Sequence, residues 1–203
     1  MAKTSVRLLK EMEKVVFDKK FVKKFPNLEL YYVFRGRKRD ADLRYDITLM
    51  PSRMLGREFV RTKGNRNSRG YQELYTVLKG KAIFLMQKAK GKIVEDIVAV
   101  EAKPGDWVIV PPNYAVITIN PSKETLKTGN WVSEKTKNIY KELEAMGGPS
   151  YFAVAEKSKA KGQELKIKWV KNKNYQKIPK LRFEKPLKQR PENLDFLRKG
   201  FRS

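Results

Sequence analysis

Four cations stand within nine residues, Arg61, Lys63, Arg66 and Arg69, interleaved with Asn65, Asn67 and Gly70. Arginine forks and side-chain amides suit phosphate and ribose oxygens, so this stretch could grip a phosphorylated ligand or a nucleic acid backbone. The same residues also suit a solvated hairpin tip, and the pattern alone does not choose. Elsewhere the chemical equipment is thin, because the 203 residues include no His and no Cys. Their absence removes disulfides, thiolate nucleophiles and the usual zinc ligands together. An oxygen-only Mg²⁺ or Ca²⁺ site is not excluded, but no dense acidic motif is present. Acid–base work near neutral pH falls to Glu, Asp, Lys or Tyr with shifted pKa values. Composition therefore disfavours an enzyme and implies no cofactor and no metal.

Charge points the other way, toward a partner. The 46 basic residues face 22 acidic ones, for a net charge of +24. A lysine-rich thermophile surface would balance Lys with Glu, so this excess reads as a footprint for a polyanion, RNA before DNA. No recognition helix, zinc finger or homeodomain pattern favours duplex DNA. The excess is uneven: residues 1–40 carry net +7, residues 41–156 carry +5 and residues 157–203 carry +12. No apolar run approaches the roughly 20 residues that span a membrane, and no signal-peptide core opens the chain, so a soluble cytoplasmic protein is expected.

The elements that must position these groups are mostly short strands. Residues 5–17 have helical spacing, and 35–39 read as a basic turn after a strand at 28–34. Strand-like runs recur at 45–50, 58–61, 73–78, 82–86, 93–100, 107–110 and 115–119, separated by Gly, Pro, Asn or Lys-Gly turns. Such spacing indicates an antiparallel sandwich or barrel. A helix is expected over 134–146, ending at Gly147-Gly148, with further strands at 151–155 and 165–170. From Lys171 onward the periodicity fades. Pro179, Pro186 and Pro191 oppose a long helix or central strand, so an extended basic tail is expected, mobile without a partner.

Several segments resemble one family in the same order. Residues 105–120 read GDWVIVPPNYAVITIN: Gly105, five residues, Pro111, one residue, Asn113, two residues, Val116, three residues, Asn120. That frame resembles the second motif of cupin β-barrels, and the wider chain resembles the cupin-type glucose-6-phosphate isomerases of archaea. SVRLLKEME resembles the family's opening helix, and REFVRTKG the strand into its active-site loop. Glu73-Leu-Tyr75 with Lys79-Gly80 resembles the stretch bearing the fourth metal ligand, and GPSYF with AEK157 a later conserved segment. The resemblance implies a mainly β cupin (double-stranded β-helix, or jelly-roll) barrel with a few helices and the basic extended C-terminal tail. It also implies that the metal histidines are replaced by Asn65, Asn67 and Val116, with Glu73 the one matching ligand and Pro149 at a further histidine's place. Thr48, Thr62, Gly64, Tyr75 and Tyr151 match positions that resemble sugar-phosphate contacts.

The expected organisation is a basic N-terminal extension (1–40), a degenerate cupin barrel (41–170) and the tail (171–203). The expected function is non-catalytic: an rRNA-binding component of an archaeal ribosome, cytoplasmic and ribosome-associated, with ribosomal RNA and neighbouring ribosomal proteins as partners and no membrane. A cupin-style homodimer is left open and not favoured. The expected RNA contacts are Arg35, Arg37, Lys38, Arg39, Arg61, Lys63, Arg66 and Arg69 in the body. In the tail they are Lys171, Lys173, Lys177, Lys180, Arg182, Lys185, Lys188, Arg190, Arg198, Lys199 and Arg202. The alternatives are a sugar-phosphate-binding protein or residual isomerase, and a nonspecific DNA-binding protein.

Overall fold

The computed structural model describes residues 3–156 and 165–201. Strand β1 (Lys3–Leu8), helix α1 (Lys19–Lys24), β2 (Glu29–Asp40) and β3 (Leu43–Met50) open the chain. Short strands β4 (Met54–Leu55), β5 (Glu58–Phe59) and β6 (Asn65–Asn67) lead into the longer β7 (Glu73–Lys79), β8 (Ala82–Lys90) and β9 (Ile93–Ala102). Next come β10 (Trp107–Val110), β11 (Ala115–Ile119), β12 (Leu126–Ser133), β13 (Asn138–Ile139) and helix α2 (Lys141–Ala145). Strands β14 (Tyr151–Ala155), β15 (Ile167–Lys171) and β16 (Arg182–Glu184) complete the order.

Two six-stranded sheets, ordered β1-β2-β3-β12-β7-β10 and β13-β6-β11-β8-β9-β16, enclose one core, and a four-stranded sheet β15-β14-β5-β4 flanks them. Leu30, Met50, Val77 and Val108 from the first sheet share that core with Phe84, Leu85, Ile97 and Ile117 from the second. All five residues of β11 and the first six of β8 are buried, as expected of strands covered on both faces. This is the mainly β cupin barrel that the resemblance implies. Among the described residues, no helix is long and apolar enough to cross a membrane.

Three local expectations fail for tertiary reasons. Residues 5–17 are not a helix: residues 3–8 pair with β2 from Lys3↔Arg35 to Leu8↔Glu29, and a 3₁₀ turn follows at Leu9–Met12. Edge pairing outweighs local helical spacing, since helix propensity is a weak prior. The helix of this region is α1, whose first turn is capped by the Asp18 side chain accepting from the Lys20 and Phe21 amides. The basic turn expected at 35–39 is part of β2, whose register against β3 slips between Phe34 and Lys38, and the reversal comes at Ala41 (φ 49°). The helix expected over 134–146 is confined to α2, because 138–139 pairs with β6 instead.

The C-terminal segment is extended but seated on the body. Strand β16 adds parallel to β9, and Leu187 exchanges backbone hydrogen bonds with Trp107 at 2.8 and 2.9 Å. Leu194 and Leu197 are buried against Leu43 and Leu74 in a second apolar cluster. Replacing Leu197 with Ala is expected to cost about 2–5 kcal/mol, the range for emptying a buried leucine site. The measurement is the urea midpoint, and an unchanged midpoint would show that the segment is not part of the cooperative fold.

Candidate functional site

A cleft enters the barrel through side chains that alternate along neighbouring strands. Because strand side chains repeat every second residue, Tyr31, Val33 and Arg35 of β2, Arg44, Asp46 and Thr48 of β3, and Glu73 and Tyr75 of β7 face one space. Strand β12 threads between β3 and β7, and its Asn130 stands opposite both Asp46 and Tyr75. Thr62, Gly64, Asn65 and Val116 close the far wall.

Glu73 sits at the base of the cleft and is buried, 4% exposed. The Asn130 Nδ2 donates to its Oε2 at 2.8 Å. Burial pushes the Glu73 carboxyl above the usual carboxylate range, against the pull of hydrogen bonds from Tyr75 and Asn67. Burial and the adjacent Glu73 together hold the Tyr75 phenol well above the usual tyrosine range, so it stays a neutral donor. Asp46, also buried, accepts from Arg35 at 3.2 Å, from Arg44 Nε at 3.0 Å and from the Gly36 amide at 2.8 Å, which fixes both guanidinium groups at the cleft's edge. The Thr62 Oγ1 accepts from the Thr118 amide at 3.0 Å and keeps its own proton to donate. Gly64 has φ +80°, and a Cβ there would lie 2.7 Å from Ile117 and 2.8 Å from Leu143, so only glycine turns the chain into this wall.

Thr48, Thr62, Gly64 and Tyr75 therefore meet in one cleft, with Glu73, Asn65 and Val116 beside them. Asn67 is buried, and its Nδ2 donates to the Tyr71 carbonyl at 3.1 Å. Tyr151 lies outside the cleft lining, donating to the Pro179 carbonyl at 3.0 Å, and the Pro149 carbonyl accepts from Asn172 at 3.0 Å. Sequence reasoning missed Tyr31, Arg44, Asp46 and Asn130. Alternation about Thr48 would have shown Arg44 and Asp46 on its face. Asn130 was out of reach because β12 itself was unread.

The expected nucleic-acid contacts differ in burial and pairing. Arg61 is 1% exposed, tied to Glu58 at 2.6 Å, and cannot reach a phosphate. Lys63 pairs with Glu144 at 2.5 Å and Arg66 with Glu142 at 2.6 Å. Arg69 is exposed, and its carbonyl accepts from the Phe201 amide at 2.7 Å. Arg37, Lys38 and Arg39 are exposed, whereas Arg35 belongs to the cleft. Several tail cations are already matched to carboxylates of the body: Arg182 to Asp96 at 2.7 Å, Lys188 to Asp106 at 2.8 Å and Arg198 to Asp42 at 2.6 Å. Lys171 donates to the Ile178 carbonyl at 3.4 Å, while Lys173, Lys177, Lys180, Lys185, Arg190 and Lys199 are exposed. Arg202 lies outside the described residues.

Known proteins bear on which of these arrangements matters. Residues 15–170 match the family model of glucose-6-phosphate isomerase. The glucose-6-phosphate isomerase of Thermococcus litoralis is 34% identical over 125 residues, covering 59% of this chain and 64% of that protein. That of Pyrococcus furiosus is 32% identical over 129 residues, covering 61% and 66%. The match thus spans less than two thirds of either relative's length. Among solved structures, the cupin domain of Schizosaccharomyces pombe Cnp3 is 13% identical, covers 59% of this chain and 72% of its own, and has a TM-score of 0.38. A cupin superfamily protein from Desulfitobacterium hafniense is 12% identical, with coverage of 50% and 76% and a TM-score of 0.34. Such likenesses say nothing about activity.

These matches overturn the non-catalytic reading. An rRNA-binding ribosomal component, its RNA and ribosomal-protein partners and its ribosome-associated location all rested on net charge, whereas the relatives are isomerases. Charge was the weaker guide because it is shared by every polyanion partner, and because part of it is neutralised within the fold. With its family match running through both the cleft and the barrel, the chain belongs to the glucose-6-phosphate isomerase family.

Proposed function

We propose that the cleft binds a phosphorylated aldose or ketose and that Glu73 moves a proton between neighbouring carbons, an aldose–ketose isomerisation run on protein groups. The observation that carries this reading is a buried carboxylate of raised pKa at the base of a cleft otherwise lined by hydroxyl, amide and guanidinium donors. The Thr48 and Thr62 hydroxyls and the backbone at Gly64 offer the phosphate a neutral cradle, with Arg44 and Arg35 nearby for its charge.

A transition metal does not suit the positions that the family resemblance matches to its ligands. Val116 presents hydrocarbon, Asn65 and Asn67 present neutral amides, and Glu73 is the one carboxylate in that set. Among the described residues no three His, Cys, Asp or Glu side chains cluster as a metal site. In this reading the chain is a histidine-free member of its family, and the proton moves without a metal. Ionised Glu73 takes the proton from the carbon beside the carbonyl. The electron pair of that C–H bond becomes the carbon–carbon double bond, the carbonyl pair moves to oxygen, and the proton of the neighbouring hydroxyl passes to that oxygen, giving an enediolate. Asn130, whose amide keeps a second N–H beyond the one given to Glu73, is the donor beside it. Glu73 then returns the proton to the former carbonyl carbon. The net change is one hydrogen shifted between the two carbons and one between their two oxygens.

Fructose 6-phosphate is expected to raise the melting temperature as any ligand of the native state does, by about 2.7 kcal/mol of stabilisation at a hundredfold excess over Kd. In D₂O the isomerised product is expected to carry deuterium on the carbon that receives the proton. Absence of both stabilisation and turnover with concentrated protein would sink this reading.

A further inference from the structure

The family match ends at residue 170, and the segment beyond it is fastened to the loop that delivers Glu73. That loop runs from Asn67 at the end of β6 to Glu73 at the start of β7, through a single 3₁₀ turn at Ser68–Gly70. Arg69 (φ 53°) and Gly70 (φ 62°) both lie in the left-handed region. A residue with a side chain persists there only where its surroundings hold it.

The C-terminal segment supplies part of that hold. The Phe201 amide donates to the Arg69 carbonyl at 2.7 Å. Gly200 packs against the Tyr71 ring, where a Cβ would come within 3.3 Å of the ring and 3.1 Å of the Arg69 carbonyl oxygen. A Cβ on Gly70 would meet the Phe201 carbonyl oxygen at 2.8 Å, so the two backbones touch with no room for a side chain between them. Further in, the Gln72 Nε2 donates to the Phe196 carbonyl at 3.4 Å. Leu74 turns to the face of β7 opposite Glu73, and there Leu194 and Leu197 pack with it. Arg198 anchors the segment to the body through Asp42 at 2.6 Å and Asp40 at 3.3 Å. What the loop carries is the setting of the carboxylate. The Asn67 Nδ2 donates to the Tyr71 carbonyl at 3.1 Å, and the same side chain hydrogen-bonds Glu73. Residues 69–72 thus fix, from outside the cleft, where Asn67 and Glu73 stand inside it.

We infer that residues 194–201 are a clamp that positions Glu73: Gly200 and Phe201 hold the loop before it, while Leu194 and Leu197 back the strand that bears it. These are positioning residues, since none of them lines the cleft. The inference rests on the isomerase reading for its effect on turnover, and on the geometry alone for its effect on the carboxyl group.

The test ends the chain at Arg198, which removes Gly200 and Phe201 but keeps Leu194, Leu197 and the Arg198 ion pairs. For fructose 6-phosphate, kcat is expected to fall about ten- to a hundredfold, the scale on which a small misplacement of a reacting group acts, with KM within about twofold. Phe201→Pro removes the amide donor and is expected to reproduce part of the loss, whereas Phe201→Leu keeps the donor and is expected to match the wild type. Titration of the Glu73 carboxyl carbon by NMR reads the clamp without substrate. The Asn67 hydrogen bond pulls this pKa down, so loosening it is expected to move the titration upward in the shortened chain. Arg44 and Asp46 of β3 and Tyr75 of β7 also act on the carboxyl group, and all three are unchanged in every variant. A Glu73 titration that does not move in the shortened chain overturns the clamp, whatever happens to turnover. An intact chain that isomerises no sugar phosphate strikes down the isomerase reading alone, and the titration then decides the clamp by itself.

Discussion

Glu73→Gln is expected to lower kcat/KM for sugar-phosphate isomerisation by about 10²–10⁴-fold, the usual contribution of a positioned general base. Glutamine keeps the volume and one oxygen that can accept from Asn130, so the loss falls on proton transfer and not on folding. Two pH dependences of opposite sign accompany it. The reaction needs ionised Glu73, and burial raises its pKa, so activity climbs with pH through a value above that of an ordinary glutamate. Stability runs the other way. A folded-state pKa above the unfolded one contributes stability that is complete below the unfolded value and lost as pH rises through the folded value. The variant should therefore lose both the activity and this share of the fall in melting temperature between acidic and neutral pH. Retained turnover would remove Glu73 from the chemistry. A melting profile with unchanged pH dependence would remove its burial as the cause of the shift.

What could be read from the sequence depended on whether local pattern and tertiary context agreed. Strands 107–110, 115–119 and 151–155 coincide with β10, β11 and β14 because their apolar runs are bounded by turn residues. The motif around Gly105 and Asn120 and the placement of Glu73 carried the family in the same way. Strand β12 was illegible, since LKTGNWVS holds Gly129 and Asn130, both poor strand formers. The structure explains that glycine: a Cβ at Gly129 would lie 1.8 Å from the Tyr45 hydroxyl, which packs over the strand. Asn130, the residue that holds Glu73, was lost with it. Tail docking was hidden for another reason. Leu194 and Leu197 fill a separate small cluster, and two leucines in a basic, proline-broken segment make no period. The cation count misled because a sequence does not show which charges meet carboxylates inside the fold.

Arg61 is the sharpest case, and its replacement should be among the most destabilising in the molecule. Its Nε donates to Glu58 at 2.6 Å, Nη1 to the Thr62 carbonyl at 3.0 Å and Nη2 to the Val15 carbonyl, while the Phe152 ring lies 5.8 Å from the guanidinium. Glu58 in turn accepts from the Phe17 amide at 2.8 Å, so one buried pair ties the N-terminal segment to the barrel. Arg61→Met strands a wholly buried carboxylate, at a cost of about 3–5 kcal/mol. That is a large part of the roughly 5–15 kcal/mol that holds a domain together. Glu58→Gln combined with Arg61→Met removes both charges and should recover much of the loss, because the penalty lies in the unpaired ion and not in the absence of the pair. Denaturant midpoints of the two singles and the double measure the coupling, and additive losses would show that the two side chains do not act as a pair. The effect should reach the cleft. Residue 61 bridges to Ile119, and the Thr62 amide donates to the Thr118 carbonyl at 2.8 Å, so the wall bearing the Thr62 hydroxyl is positioned by the same buried pair. Sugar-phosphate affinity should accordingly fall in the single Arg61 variant and return in the double, placing this arginine among the groups that shape the site without ever touching the ligand.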